Sequence, residues 1–135
     1  MTEARAFMHQ LKQDVLSHPF LSHPFLKQLA AQPLTRAQGK QFALLYYPHI
    51  LRTRLYQANA LGVCPDEALQ FVLAEILYDE YGNGDVSRSH MAIYRRFMRA
   101  VGATETELQN PPLIPELQAY IDTMMRVSQG SDWLM

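Results

Sequence analysis

The sequence predicts an all-α protein, and three observations support that fold class. Apolar residues recur at helical spacing in several separate segments, whereas no segment alternates convincingly with a period of two. Proline and glycine residues lie between those segments, where helices usually begin and end. Of the 135 residues, 48% are apolar and 19% are charged, which is typical of a globular chain rather than a disordered one. We therefore expect a single helical domain over residues 1–135.

The charge balance and the cysteine content exclude several classes of protein. The 12 basic and 13 acidic residues give a formal net charge of −1, which does not indicate binding to nucleic acid or to an anionic membrane surface. No apolar run approaches the roughly 18 residues that cross a bilayer. Cys64 is the only cysteine and cannot form an internal disulfide, so we expect a small buried thiol in a cytoplasmic protein.

The first 35 residues are predicted to form short helices around a repeated pentapeptide. Thr2 is predicted to cap a first helix, and the apolar positions of that helix are Phe7, Met8, Leu11, Val15 and Leu16. The sequence LSHPF then occurs twice in succession. Pro19 and Pro24 each interrupt a helix unless they lie in its first turn, and Ser22 is a candidate cap for a short helix through Phe25, Leu26 and Leu29.

A long helix is predicted to follow. It begins at Thr35–Gln38, which has the spacing of a capping box, and it runs to about Leu61, where Gly62 ends it. Pro48 lies inside this helix and is expected to kink it.

The next helix is predicted to begin at Pro65, which is followed by two acidic residues that suit the positive end of the helix dipole. Its apolar stripe comprises Leu69, Val72, Leu73, Ile76 and Leu77. Glu80 lies four residues after Ile76 and seven after Leu73, so it occupies a position on the same stripe. An ionised carboxylate on such a stripe is costly unless it is paired or binds a metal.

Two glycines within Tyr81–Asp85 are predicted to interrupt this helix, and Asp85 is predicted to cap another that ends at Gly102. The apolar residues of that next helix are Val86, Ile93, Tyr94, Phe97 and Val101. His90 lies four residues after Val86, on the apolar stripe. On one straight helix Glu80 and His90 would be about 15 Å apart along the axis, so the chain must fold back at the glycines if both are to bind one metal ion.

A last helix is predicted to begin at Pro115 and to end near Gly130, and its apolar residues are Leu117, Tyr120, Ile121 and Met124. The sequence of Ser131–Met135 is typical of the first turn of a further helix. We therefore expect the chain to be the front part of a longer domain, and the alternative is that Trp133 packs back onto the body of the chain. The stripe of Leu69, Leu73 and Ile76 would then be covered by the absent part or by a second chain.

Glu80 and His90 together form a candidate metal site. Carboxylate and imidazole suit non-haem iron, and helical bundles build di-iron sites from inward-facing side chains of these types. The residues leave a structural alternative open, in which His90 is a core histidine and Glu80 pairs with an arginine. Candidate arginines are Arg52, Arg54 and Arg95.

The run Asp79-Glu80-Tyr81-Gly82-Asn83-Gly84-Asp85, followed by His90, resembles the pattern of the heme-oxygenase-like di-iron oxidase family, the iron-containing redox enzymes. His23-Pro24-Phe25-Leu26, followed by a long helix with Tyr46-Tyr47, is similar to the start of the same superfamily, which includes the thiaminase II and pyrroloquinoline-quinone-synthesis proteins. The resemblance implies a heme-oxygenase-like helical bundle, with this chain as the N-terminal portion of a longer family domain and with a homodimer as the expected assembly.

The resemblance further implies a non-haem di-iron oxidase or oxygenase that oxidises a small organic substrate with dioxygen. Glu80 and His90 match family metal ligands, and Tyr46, Tyr47 and Tyr81 are candidate substrate-binding residues. The family's remaining ligands come from the preceding long helix and from later helices.

The sequence departs from the family pattern in the long helix. Between Phe42 and Gly62 there is no Asp or Glu, and His49 is the ligand-capable side chain there. His49 is either a substitute ligand or a packing residue beside Pro48. Two alternatives to the iron enzyme therefore remain, namely a metal-free relative that acts on a small heterocycle and a non-catalytic helical interaction protein of the same fold.

Overall fold

The computed structural model describes residues 3–130, in which every regular element is helical. The α-helices are α1 (Glu3–Ser17), α2 (Pro24–Ala31), α3 (Arg36–Val63), α4 (Glu67–Glu80), α5 (His90–Ala100), α6 (Glu105–Gln109) and α7 (Pro115–Gln129). Two 3-10 turns lie at Pro19–Ser22 and Val86–Arg88. About 80% of the chain is helical and the described residues contain no strand, which confirms the all-α prediction. The predicted cap Thr2 and the predicted turn Ser131–Met135 lie outside the described residues.

No helix between residues 3 and 130 combines the length and the apolar character needed to cross a membrane. The chain divides into two compact units, residues 1–35 and residues 36–135, which are described separately below.

In the first unit, the two LSHPF copies start helical segments in the same way. The imidazole Nδ1 of His18 accepts a hydrogen bond from the backbone N–H of Phe20 at 3.1 Å, and that of His23 accepts one from Phe25 at 3.2 Å. Each proline lies in the first turn of its segment, which is the second of the two positions that the sequence left open. The cap of α2 is His23 rather than Ser22, so that prediction was wrong, because an imidazole two residues before the amide reaches the same donor that a serine hydroxyl serves in most helices.

In the second unit, α3 is the central helix and packs against α4, α5 and α7. Pro48 lies inside α3 and is buried there. The helix passes through its predicted stop at Gly62 and ends at Val63. The stop is set by Pro65, since a proline disfavours the helical conformation of the preceding residue, Cys64. Cys64 itself is buried, as expected for a small packing thiol.

The core of this unit is small and lies mainly between α3 and α5. Its buried residues are Ala43, Tyr47, Met91, Met98, Ala103 and Leu108. The rings of Tyr47 and Tyr94 stack with centroids 5.9 Å apart, and the Tyr94 hydroxyl donates to the Ala43 carbonyl at 3.1 Å. Burial, together with the neighbouring Tyr46, raises the pKa of Tyr94 to about 12.

Helix α4 begins at Glu67, within the predicted opening Pro65–Glu67. Asp66 is its cap, and the carboxylate of Asp66 accepts a hydrogen bond from the Leu69 N–H at 2.8 Å. None of its residues is buried. Leu69, Val72 and Ile76 are between 42% and 48% exposed, so much of the predicted apolar stripe lacks a cover within the described residues. The expected cover by a second chain or a further segment stays a prediction.

Helix α6 was not predicted, although the sequence carries its start signal. The Thr104 hydroxyl accepts from the Glu107 N–H at 3.2 Å, and the Glu107 carboxylate accepts from the Thr104 N–H at 2.7 Å, which is a complete capping box. The Lys40 ammonium lies 2.8 Å from Glu107 and joins α6 to α3. The hydrogen bonds from Lys40 and Thr104 lower the pKa of Glu107 to about 2.

Candidate metal centre

The centre depends on a sharp turn between α4 and α5. Three consecutive residues have positive φ, namely Gly82 at 87°, Asn83 at 54° and Gly84 at 89°. At Gly82 an added Cβ would lie 2.2 Å from the Asp85 carbonyl oxygen, so only glycine fits this position without a shift of the backbone. Asn83 is held by its own side chain, whose amide donates to the Asp79 carboxylate at 2.7 Å. The predicted break at the glycines is therefore present.

The start of α5 differs from the prediction. Asp85 caps the 3-10 turn, where its carboxylate accepts from the Ser87 N–H at 3.0 Å. Ser89 caps α5, where its hydroxyl accepts from the Ala92 N–H at 3.2 Å. Helix α5 thus begins four residues later than expected, and His90 is its first residue.

This later start changes the face on which His90 lies. The predicted apolar stripe is not a core face, because Val86 is 75% exposed and both Ile93 and Phe97 are also exposed. The buried residues of α5 are Met91 and Met98. The prediction that His90 faces the core was wrong, since helical spacing cannot be counted through a 3-10 turn.

The turn nevertheless brings the two predicted ligands together. His90 Nδ1 lies 3.0 Å from Glu80 Oε1, and His90 Nε2 lies 3.4 Å from Asp79 Oδ2. The Glu80 side chain is only 17% exposed, compared with 49% for His90. The alternative in which an arginine forms the ion pair of Glu80 is not found among residues 3–130, where that pair is made with His90.

Glu80 and His90 line a cavity of about 120 Å³ between α3, α4 and α5. Its other lining residues are Ile50, Thr53, Arg54, Met91 and Tyr94. The Arg54 guanidinium lies 5.8 Å from the ring centroid of Tyr81, a cation–π contact that holds this cation at the edge of the site. The cavity therefore places one cation and one phenol beside the carboxylate–imidazole pair.

The pair suits a metal ion in donor type and in spacing. Two ligands that each lie about 2.1 Å from a metal at a right angle are about 3.0 Å apart, which is the separation of Nδ1 and Oε1. A metal-binding histidine usually donates its other ring N–H to a carboxylate, and Asp79 lies on that side of His90. Among residues 3–130, however, no group of three or more Asp, Glu, His or Cys side chains is arranged to hold a metal, so the pair supplies part of a ligand set.

His49 lies apart from this pair, in a cluster of aromatic rings. The ring centroids of Tyr46, Tyr56 and Tyr120 are 5.0, 5.9 and 5.2 Å from that of His49. Its Nδ1 is buried without a hydrogen-bond partner among the described residues, and burial lowers the pKa of the imidazole. His49 does not line the Glu80–His90 cavity, and its surroundings are those of a packing residue.

The predicted substrate-binding tyrosines are also placed elsewhere. Tyr46 belongs to the aromatic cluster, Tyr47 lies in the core, and Tyr81 packs under Arg54, so none of the three lines the cavity. Tyr94 lines it instead. The sequence carried a signal for Tyr94, since it lies one helical turn after His90. Thr53 and Arg54 have no such local signal, because they come from the distant helix α3.

A family model described as iron-containing redox enzyme matches residues 40–134, which is more than half of the chain. The match includes α4, α5, the turn between them and both residues of the pair. No curated protein and no solved structure matches the chain significantly.

Proposed function

The chain belongs to the family of iron-containing redox enzymes, and from this premise we propose that Glu80 and His90 bind iron in a non-haem oxidase or oxygenase. We propose that the site is of the di-iron type, as the sequence resemblance implies, and that it acts on a small organic substrate with dioxygen. The observation that carries the proposal is the 3.0 Å separation of His90 Nδ1 and Glu80 Oε1 across a turn that only glycine permits.

Each residue of the site has a distinct task in this proposal. Glu80 provides a largely buried carboxylate. Because little solvent reaches its negative charge, a bound cation would stabilise the ionised form. Asp79 Oδ2, which lies 3.4 Å from His90 Nε2, would accept the proton of that nitrogen and so leave the Nδ1 lone pair free to bind the metal. Bound iron would supply the capacity to bind dioxygen and to exchange single electrons, which no amino-acid side chain of this site provides.

The rest of the cavity would hold the substrate. Arg54 on α3 offers N–H donors, while Met91 and Ile50 offer apolar contact. The hydroxyl of Tyr94 is committed to the Ala43 carbonyl, so this residue shapes the wall rather than moving a proton. The proposal requires further ligands from outside the described residues, and it includes a homodimer as the assembly.

Iron binding itself provides the test. The complete chain would be incubated anaerobically with ferrous iron, desalted, and analysed for iron per chain by mass spectrometry. Glu80→Gln and His90→Ala should each lower the bound iron at least tenfold. The matched control is Glu75→Gln, an exposed carboxylate on the same helix, which should retain wild-type iron. Circular dichroism would verify that all variants keep their helices. Equal iron in wild type and Glu80→Gln would refute the assignment.

A second candidate is a metal-free member of the same fold, either an enzyme that acts on a small heterocycle or a helical interaction protein. The observation that favours it is the same contact, because a protonated His90 satisfies Glu80 at 3.0 Å without any metal. The incomplete ligand set among residues 3–130 points the same way. Absence of iron from the wild-type chain in the titration would favour this candidate.

A further inference from the structure

A second and larger cavity lies between α3, α5 and α6. Its volume is about 340 Å³, which is within the range of small-molecule sites, and it shares no lining residue with the Glu80–His90 cavity. Its lining residues are Tyr47, Leu51, Arg95, Arg99, Glu105, Leu108 and Gln109. We call it the arginine cavity.

Arg95 is fixed in this cavity by a buried hydroxyl. Its Nε donates to the Tyr47 hydroxyl oxygen at 2.8 Å, and Tyr47 is only 1% exposed. A guanidinium group has five N–H donors, and one of them is used here. Its two terminal nitrogens have no hydrogen-bond partner in the part of the chain that the structure describes. The Arg95 side chain is therefore oriented before any ligand binds, and its two terminal nitrogens present a pair of parallel N–H donors.

The other charged residues of the cavity do not neutralise the charge of Arg95. Arg99 takes both oxygens of Glu105, with Nε at 2.6 Å and a terminal nitrogen at 3.2 Å. This fork, with a smaller contribution from Arg95, lowers the pKa of Glu105. Two arginines thus face one carboxylate, and the cavity retains one positive charge. A ligand that completes this balance carries a single negative charge.

Part of the inner wall of the cavity is apolar. Leu108 is buried, and the side chain of Leu51 and the ring of Tyr47 lie beside it. An anion that reaches Arg95 also brings the atoms bonded to it against these side chains. A small inorganic anion would leave the apolar side chains exposed to water, whereas an organic anion would bury them.

We propose that the arginine cavity binds a small organic monocarboxylate. Its carboxylate accepts the paired donors of Arg95, a geometry in which guanidinium and carboxylate match. Its apolar body packs against Leu51 and Leu108. This site is independent of the iron proposal, because none of its residues lies in the metal cavity.

The test uses the complete 135-residue chain and two ligands of equal shape. Benzoate and the neutral benzamide would be titrated by calorimetry at constant ionic strength. Benzoate should bind at least tenfold more tightly, because a charged carboxylate accepts hydrogen bonds from a guanidinium group much more strongly than a neutral amide carbonyl does. Equal affinity for the two ligands overturns the proposal.

Three variants locate the binding. Arg95→Gln should weaken benzoate binding roughly tenfold. Arg52→Gln, which removes the same charge from an exposed position of α3 outside the cavity, should leave it unchanged. Glu105→Gln should tighten it, since Arg99 is then released from its partner, and a damaged fold cannot produce a gain. Wild-type affinity in Arg95→Gln, or weaker binding in Glu105→Gln, overturns the assignment.

Two further measurements separate this site from others. Inorganic phosphate should bind more weakly than benzoate, and equal binding would overturn the role of the apolar wall. Glu80→Gln should bind benzoate as the wild type does, whatever its iron content. Loss of benzoate binding in Glu80→Gln would place the carboxylate at the metal cavity and overturn the proposal.

Discussion

Replacement of Gly82 by alanine should damage this protein more than any other single-methyl addition in the described turn. Its φ of 87° lies in the left-handed region, which costs a non-glycine residue about 1–2 kcal/mol. The new Cβ would also lie 2.2 Å from the Asp85 oxygen, 2.7 Å from the Ser89 nitrogen and 2.8 Å from the Arg88 carbonyl carbon. All three contacts are backbone atoms, so no rotation of a side chain relieves them.

The total cost follows from adding the two effects. Forced backbone displacement of this kind costs roughly a further 1–3 kcal/mol. We therefore expect Gly82→Ala to lower the free energy of unfolding by about 2–5 kcal/mol. That loss is a large fraction of the total stability of a small domain, which is about 5–15 kcal/mol.

Two other glycines provide matched controls. At Gly84 φ is 89°, but the new Cβ would meet only the Tyr78 hydroxyl at 3.1 Å, and that side chain is exposed and can move. Gly84→Ala should therefore cost only the conformational part, about 1–2 kcal/mol. At Gly62, inside α3, nothing lies within 4 Å of the new Cβ. Gly62→Ala should stabilise the protein by about 0.5–1 kcal/mol, because alanine is the better helix former.

Urea denaturation followed by circular dichroism at 222 nm gives all three free energies on one scale. The expected order of stability is Gly62→Ala, wild type, Gly84→Ala and then Gly82→Ala. Equal destabilisation by the substitutions at Gly82 and Gly84 would show that the close backbone approach at Gly82 is not a constraint, and would refute the reasoning.

Two more predictions concern the caps of the second unit. The pKa of Glu107 lies at about 2, below the ordinary value of 4.5, so its stabilisation is present above pH 4.5 and is lost as the pH falls toward 2. Glu107→Gln should flatten the fall in stability across that window, and an unchanged pH profile would contradict the role of the Lys40 contact. Ser89→Ala removes the cap of α5 and should cost about 1 kcal/mol in the same denaturation assay. No loss of stability in Ser89→Ala would mean that α5 does not need this cap.

The glycine turn could be predicted because its signals are local. Two glycines beside an asparagine cannot continue a helix cheaply, whatever the rest of the chain does. The same is true of Pro115 at the start of α7 and of Asp66 at the start of α4. Each of these residues acts on backbone within four positions of itself, so its effect can be found without knowledge of the tertiary fold.

The start of α5 could not be found in that way. Asp85 and Ser89 are both good cap residues, and both cap a helical segment in the structure. The α-helix starts after Ser89 rather than after Asp85 because of a contact between residues that are nine positions apart. The Arg96 guanidinium donates to the Ser87 carbonyl at 2.7 Å and holds the 3-10 turn in place. Sequence spacing alone does not contain that contact, and the expected core face of His90 failed for this reason.

The same difference between local and long-range contacts applies to the residues of the candidate site. Glu80 and His90 are ten residues apart, and one turn joins them, so their proximity was predictable. Thr53 and Arg54 reach the same cavity from α3, and their presence depends on how α3 packs against α4 and α5. Long-range packing of this kind leaves no mark in the spacing of a single sequence.

Because a single turn brings Glu80 and His90 together, the glycine variants made for the denaturation experiment also test iron binding. Gly82→Ala removes no ligand atom, yet it strains the turn that holds His90 against Glu80. If iron binding depends on their separation of 3.0 Å, a Gly82→Ala protein that still folds should lose iron as Glu80→Gln does, while Gly84→Ala should keep it. Iron retained at the wild-type level in folded Gly82→Ala would mean that the backbone of this turn does not set the ligand geometry. Iron lost from both glycine variants would mean that general destabilisation, rather than the close approach at Gly82, controls binding.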